Sequence, residues 1–116
     1  MSKVPKFRGF AACMRMMRKH DPHTREAGFR TLLPHAAEHV EELMQQFASE
    51  RDHGLRCWLL ELIGEARSPV ALSLLVEQLQ SPEEAISDWA ARGLRALDTP
   101  EARQALFDAG LPCSRR

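Results

Sequence analysis

The sequence contains no apolar run near the roughly 18 residues that a membrane-spanning helix requires, so no membrane span is expected. Its opening, MSKVPKFRGF, has neither the apolar stretch nor the small-residue cleavage site of a secretory signal. Cysteine is scarce: Cys13, Cys57 and Cys113 are odd in number, widely spaced and form no CxxC pair. That argues against a disulfide framework or a cysteine zinc site, and for a reducing cytoplasm. Alternating apolar and polar residues, the mark of a half-buried strand, run to no useful length. Net charge is also missing, since 16 Lys and Arg balance 16 Asp and Glu. The balance is uneven along the chain, however: residues 1–30 carry +6, residues 31–90 carry −8 and the remainder carries +2. A basic end and an acidic middle can orient a charged partner, although solvated helix faces produce the same distribution.

What is present is helical punctuation. Proline is favoured in the first turn of a helix, where its missing N–H would have had no partner. Asp21-Pro22, Ser68-Pro69 and Thr99-Pro100 each put a capping side chain directly before proline. Ser81-Pro82-Glu83-Glu84 has capping-box spacing, with Ser81 expected to accept from the Glu84 amide. Leu33-Pro34 separates two helices, and at Asp52-His53-Gly54 an aspartate cap and a glycine stand in place of the proline step. Between these marks the apolar residues follow helical spacing, as in Phe7, Phe10, Ala11, Met14 and Met17, or Leu55, Trp58, Leu59, Leu62 and Ile63. The reading is seven helices near 6–19, 22–33, 36–49, 54–66, 69–80, 83–97 and 100–109, an all-α fold.

The chain also repeats itself. CWLLELIGEARSPVALSLL, from Cys57, and DWAARGLRALDTPEARQAL, from Asp88, align at one constant offset: Trp58 with Trp89, Pro69 with Pro100, Ala71 with Ala102 and Leu75 with Leu106. An earlier copy opens at Asp21-Pro22-His23-Thr24-Arg25, and the same offset carries Arg25 onto Arg56. A fixed period of this size signals stacked helix pairs, because one pair cannot bury its own apolar face.

LRCWLLELIGEARSPVALSLLVEQL and ISDWAARGLRALDTPEARQAL resemble the short HEAT-like repeats first named for the phycobilisome lyases. That pattern has Asp-x-x-Val-Arg, an Ala-rich helix, Leu-Gly, a loop with Pro-x-Ala and a Leu-rich second helix. Asp52 to Arg56, Ile63-Gly64 and Pro69-Val70-Ala71 match it. Ser87 stands where the third copy should have the arginine, so the Asp–Arg ladder should break there. Arg95 replaces the glycine after Leu94, and Trp58 and Trp89 fill positions where small residues are usual. The resemblance implies an α-α solenoid of about three and a half helix pairs in a single domain over residues 1–116. A capping helix near 6–19 would precede repeats near 21–51, 52–82 and 83–109 and a loose tail over 110–116.

For catalysis the chain offers little. His35-Ala36-Ala37-Glu38-His39 has the H-x-x-E-H form in which two histidines bind zinc and the glutamate acts as base. No third ligand accompanies it, and both histidines are expected to flank the buried stripe on the solvent side. His35 and His39 therefore remain weak metal candidates, and no cofactor is expected. Related di-iron hydroxylases use His-Glu dipeptides, and the sequence has none. Cys13 and Cys57 lie beside apolar stripes as small core residues, and Cys113 has no histidine near it in sequence. The chain is not expected to be an enzyme.

The resemblance implies that second helices line a concave face used for protein partners. On those helices the charge changes sign: Arg8, Arg15, Arg18 and Lys19 first, then Glu38, Glu41 and Glu42, then Glu77, then Glu101 with Arg103. Such a graded surface suits a protein partner, and these residues are the candidate contacts. The expectation is a cytoplasmic binding or scaffold module, an adaptor or an immunity-type inhibitor, monomeric or weakly oligomeric. The family's distribution points to bacteria. The alternative is a nucleic-acid module using the six Lys and Arg of residues 3–19, although the acidic middle would repel phosphates. Trp58 and Trp89 are read as packing between repeats, with a partner anchor as the alternative. Met14 and Met17 are placed inside, and Met16 is a candidate for an exposed contact.

Overall fold

Three side chains start helices as their sequence context predicts. Asp21 accepts from the Thr24 amide at 3.1 Å, Asp52 from the Leu55 amide at 2.9 Å and Thr99 from the Ala102 amide at 3.1 Å. The computed structural model describes residues 6–112, and all regular structure among them is helical. The helices are α1 (Phe10–Met17), α2 (Pro22–Leu32), α3 (Val40–Ser49), α4 (His53–Ala66), α5 (Leu72–Gln78), α6 (Glu84–Leu97) and α7 (Pro100–Asp108). Two 3-10 turns, Leu33–His39 and Pro69–Ala71, lead into α3 and α5. Cys113 and the tail after it lie outside the described residues, as does Lys3.

The differences from the expected helices have local causes. Gly9 takes φ +103°, a left-handed value that ends helical geometry before Phe10, so α1 is shorter than the expected 6–19. The stretch after Pro34 winds as a 3-10 turn, so the helix expected over 36–49 begins only at Val40. Ser81 accepts from the Glu83 amide at 3.1 Å rather than from Glu84, which moves the start of α6 to Glu84.

The helices form two layers of an α-α solenoid. In one, α4 packs along α6 and α2 meets α4 through Phe29 and Trp58; in the other, α1 packs on α2, α3 on α4, and α5 and α7 on α6. The whole measures 42 × 26 × 25 Å. The sequence period reappears as burial: Leu55 and Ile86, Leu59 and Ala90, Leu60 and Ala91, and Ile63 and Leu94 are all core residues. Both long first helices end at a left-handed residue one period apart, Arg67 at φ 51° and Asp98 at φ 54°.

Two close approaches set the spacing. A side chain on Gly64 would meet the Gly93 Cα at 3.0 Å, so α4 and α6 touch backbone to backbone. The glycine missing at Arg95 is thus supplied by Gly93, on the face of α6 that meets α4. At the other end, a Cβ on Gly28 would lie 2.7 Å from the Met16 Cβ and 2.9 Å from the Cys13 carbonyl, which seats α1 directly on α2. Cys13, Met14 and Met17 are buried as expected, whereas Met16 is half-buried over Gly28 rather than free.

Candidate protein-interaction surface

The charged residues expected to form one graded face are divided among several local tasks. Only Arg15 of the basic group lies within α1; Arg8 precedes Gly9, and Arg18 and Lys19 follow the last turn. Arg18 donates to Glu50 Oε1 at 2.7 Å and to Gln46 Oε1 at 2.8 Å, tying the end of α1 to the end of α3. Glu50 in turn accepts from the Asp52 amide at 3.0 Å, so it organises the turn into α4. Burial pushes the Glu50 carboxyl up, but the Asp52 amide and Arg18 outweigh it and hold it below the usual range. Arg103 donates to the Asp98 carbonyl at 3.0 Å and to its carboxylate at 2.8 Å, closing the turn between α6 and α7. Arg8, Arg15, Lys19, Glu38, Glu41, Glu42, Glu77 and Glu101 are exposed on their segments.

His35 and His39 do not flank the core on the open side. Phe7 stacks on His35 with ring centroids 3.9 Å apart, and Phe10 on His39 at 5.4 Å. Their Nδ1 atoms face Glu38 at 3.6 Å and Glu42 at 2.6 Å respectively. A 3-10 turn places residues four apart about 120° apart around its axis, instead of about 40° in an α-helix, so His35 and His39 do not share the α-helical face on which a zinc peptidase presents its two histidines. Among the described residues, no three His, Cys, Asp or Glu side chains converge to hold a metal ion.

Among the described residues the ladder between repeats has a rung at Arg56. Arg56 reaches Glu83 at 3.2 Å, and Glu83 occupies the position one period after Asp52. Ser87, lacking a charge, donates to the Leu79 carbonyl at 2.9 Å instead. Glu83 also faces His53 Nδ1 at 3.4 Å, and His53 Nε2 lies 3.6 Å from Cys57 Sγ. This carboxylate–imidazole–thiol chain escaped the sequence reading, although the spacing of His53 and Cys57, one turn apart on one helix, signals it. Burial first, then the Glu83 charge, pushes the Cys57 thiol up, which keeps it protonated and opposes nucleophilic use.

The aromatic residues build a different surface, on the first-helix layer. Trp58 and Trp89 are half-buried: each packs against the core and also borders an open groove. Between α2 and α4, Pro22, Arg25, Phe29, Leu33, Trp58 and Glu61 border a groove of about 600 Å³. Between α4 and α6, Glu61, Gly64, Glu65, Trp89, Arg92 and Arg95 border a second of about 430 Å³. Phe29 meets Trp58 with centroids 4.9 Å apart, so Trp58 does pack between repeats, as expected. Arg25 stacks over Trp58 at 5.7 Å and Arg92 over Trp89 at 4.6 Å. Glu61 lines both grooves. Burial, followed by the neighbouring Glu65 charge, raises its carboxyl above the usual range, and the opposing pull of Arg92 is smaller.

Two layers of helices repeating at a fixed period, with open inter-helix grooves, define a short helical-repeat scaffold. A family model of HEAT repeats matches residues 40–111, and the chain belongs to that family, whose repeats serve as scaffolds for protein interaction. No curated protein and no solved structure matches the chain. Among the described residues no helix is long and apolar enough to cross a membrane.

Proposed function

We propose that this chain is a non-catalytic protein-binding module of the cytoplasm, acting as an adaptor or as an inhibitor that covers part of its target. The observation that carries this reading is the pair of open grooves on the α2–α4–α6 layer, each with a part-exposed tryptophan and arginines at its wall. Tryptophan and arginine are the residue types that dominate binding energy at protein interfaces, and shallow open grooves suit protein segments better than small molecules. The second-helix residues expected as contacts fit less well, because Arg18 and Arg103 are committed to holding the fold. The same commitment weakens the nucleic-acid alternative, since Arg18 belongs to the basic stretch that would meet phosphates.

The test is capture of partners from lysate on the tagged full chain, with and without nuclease, followed by mass spectrometry. A dominant protein partner at roughly one-to-one ratio, retained at moderate salt and after nuclease, is the expected result. Nucleic acid as the sole bound species, lost in Arg8→Gln/Arg15→Gln/Lys19→Gln with a flattened salt dependence, would replace this reading with the alternative.

A further inference from the structure

His53 and Cys57 are not explained by the stacking of the repeats. One period earlier their places are taken by Pro22 and Glu26, and one period later by Glu84 and Asp88. The scaffold therefore requires neither an imidazole nor a thiol at these positions. Helix α4 nevertheless brings the two together, because residues four apart are neighbours on one helix face. His53 Nε2 stands 3.6 Å from Cys57 Sγ, and Glu83 Oε2, at the start of α6, stands 3.4 Å from the other ring nitrogen. Arg56 donates to the second oxygen of the same carboxylate at 3.2 Å, which holds Glu83 beside the ring. A carboxylate at Nδ1 favours the proton on that nitrogen and leaves the Nε2 lone pair turned towards the sulfur. His53 is exposed and Cys57 half-buried, so the pair can be reached from solvent.

We infer that His53 Nε2 and Cys57 Sγ are two ligands of a binding site for one zinc-class divalent cation, with Glu83 orienting the imidazole from behind. This goes beyond the protein-binding reading and does not depend on it. Bonds of about 2.3 Å to sulfur and about 2.0–2.1 Å to nitrogen, at a tetrahedral angle, place the two ligand atoms about 3.5–3.6 Å apart. Sγ and Nε2 already stand at that separation, so the ion can enter without a change of rotamer. Thiolate with imidazole selects a borderline-soft ion over magnesium or calcium, which take oxygen ligands. A carboxylate on the far nitrogen of a ligating histidine is the usual support of such a site. On binding, the Cys57 thiol releases its proton to water and the sulfur gives a lone pair to the ion, so nothing is oxidised or reduced. Two protein ligands leave the remaining positions of the tetrahedron to water on the exposed side of α4. Arg56, the cation beside the site, is paired with Glu83 and so repels the ion less than a bare guanidinium would.

The test is titration of the full chain, reduced and metal-free, with Co²⁺ as the optical probe and Zn²⁺ as its competitor. One Co²⁺ per chain should bind with a thiolate-to-metal charge-transfer band, and Zn²⁺ should then remove that band. Cys57→Ser should abolish the band, while Cys113→Ser, in the tail, should keep it. Glu83→Gln should weaken binding about tenfold or more, the usual effect of losing the carboxylate behind a ligating histidine, and His53→Gln should weaken it further. Zn²⁺ should also raise the melting temperature of the wild type and leave that of Cys57→Ser where it was, since an ion bound only by the folded chain stabilises it. Because His53 is exposed, metal-free His53→Gln should melt with the wild type, which separates a lost ligand from a lost fold. The inference fails if no charge-transfer band forms, if the band survives in Cys57→Ser, or if it disappears in Cys113→Ser. Binding to His53→Gln as tight as to wild type, or an equal rise in the melting temperature of Cys57→Ser, also overturns it.

Discussion

Arg18 and Glu50 are far apart in sequence and meet at 2.7 Å where the ends of α1 and α3 converge. Glu50 is the more enclosed partner, with 11% of its side chain exposed, and it also receives the amides of the turn before α4. We expect Glu50→Gln to cost about 0.5–1.5 kcal/mol of stability at neutral pH, the usual net scale of one intramolecular hydrogen bond, because glutamine keeps an acceptor oxygen. The folded protein holds this carboxyl below its usual range, so its contribution is present above the unfolded value and fades as pH falls through the folded value. Urea denaturation of wild type and variant should therefore differ at neutral pH and converge in acid. A difference that persists in acid would show that shape, not charge, holds the turn. Sequence reading placed Arg18 among the partner contacts because its true partner is legible only once α1 and α3 are side by side. The same holds for Glu61, which looks like any exposed glutamate of an amphipathic helix until both neighbouring helices are in place.

At the scale of the helix, capping chemistry was legible and winding was not. Asp21, Asp52 and Thr99 act within their own first turn, so their roles follow from local sequence. The Leu33–His39 turn winds as a 3-10 helix although its residues favour an α-helix; Pro34 interrupts backbone donation there, and Phe7 and Phe10 pack against its histidines. Glycine positions behave in the same tertiary fashion. Gly28 has helical geometry and could gain about 1 kcal/mol of helix propensity as alanine. Its Cβ, however, would press on the Cys13 carbonyl and the Met16 Cβ below 3.0 Å, and neither belongs to a flexible chain end. Steric cost should win: Gly28→Ala should lose about 1–3 kcal/mol net. Chemical denaturation together with the reactivity of the Cys13 thiol would test this, because a displaced α1 exposes that buried sulfur. An unchanged midpoint would mean that α1 adjusts freely.

Across the whole molecule, stability should fall from the middle outwards. α4 is covered by the first repeat's turn and α3 on one side and by α6 on the other, whereas α1 and α7 are covered on one side only. Amide hydrogen exchange should protect the α4 core around Leu59, Leu60 and Ile63 most, with α1 and α7 opening first. Uniform protection from end to end would indicate a single cooperative block instead of coupled repeats. The gradient leaves the central grooves on the most rigid helix, which lowers the ordering cost of a partner seated there.

The sequence by itself determined the all-helical class, the repeat period, the position of three helix starts and the identity of most of the core, because each depends on spacings along the chain. Tertiary structure alone decided which charges meet and what each one holds. Arg18, Arg56 and Arg92 look alike in sequence, yet one braces α3, one joins two repeats and one lies on a tryptophan ring. The physical reason is that an ion pair or a groove is a relation between helices a whole repeat apart, and only their packing brings such groups within reach.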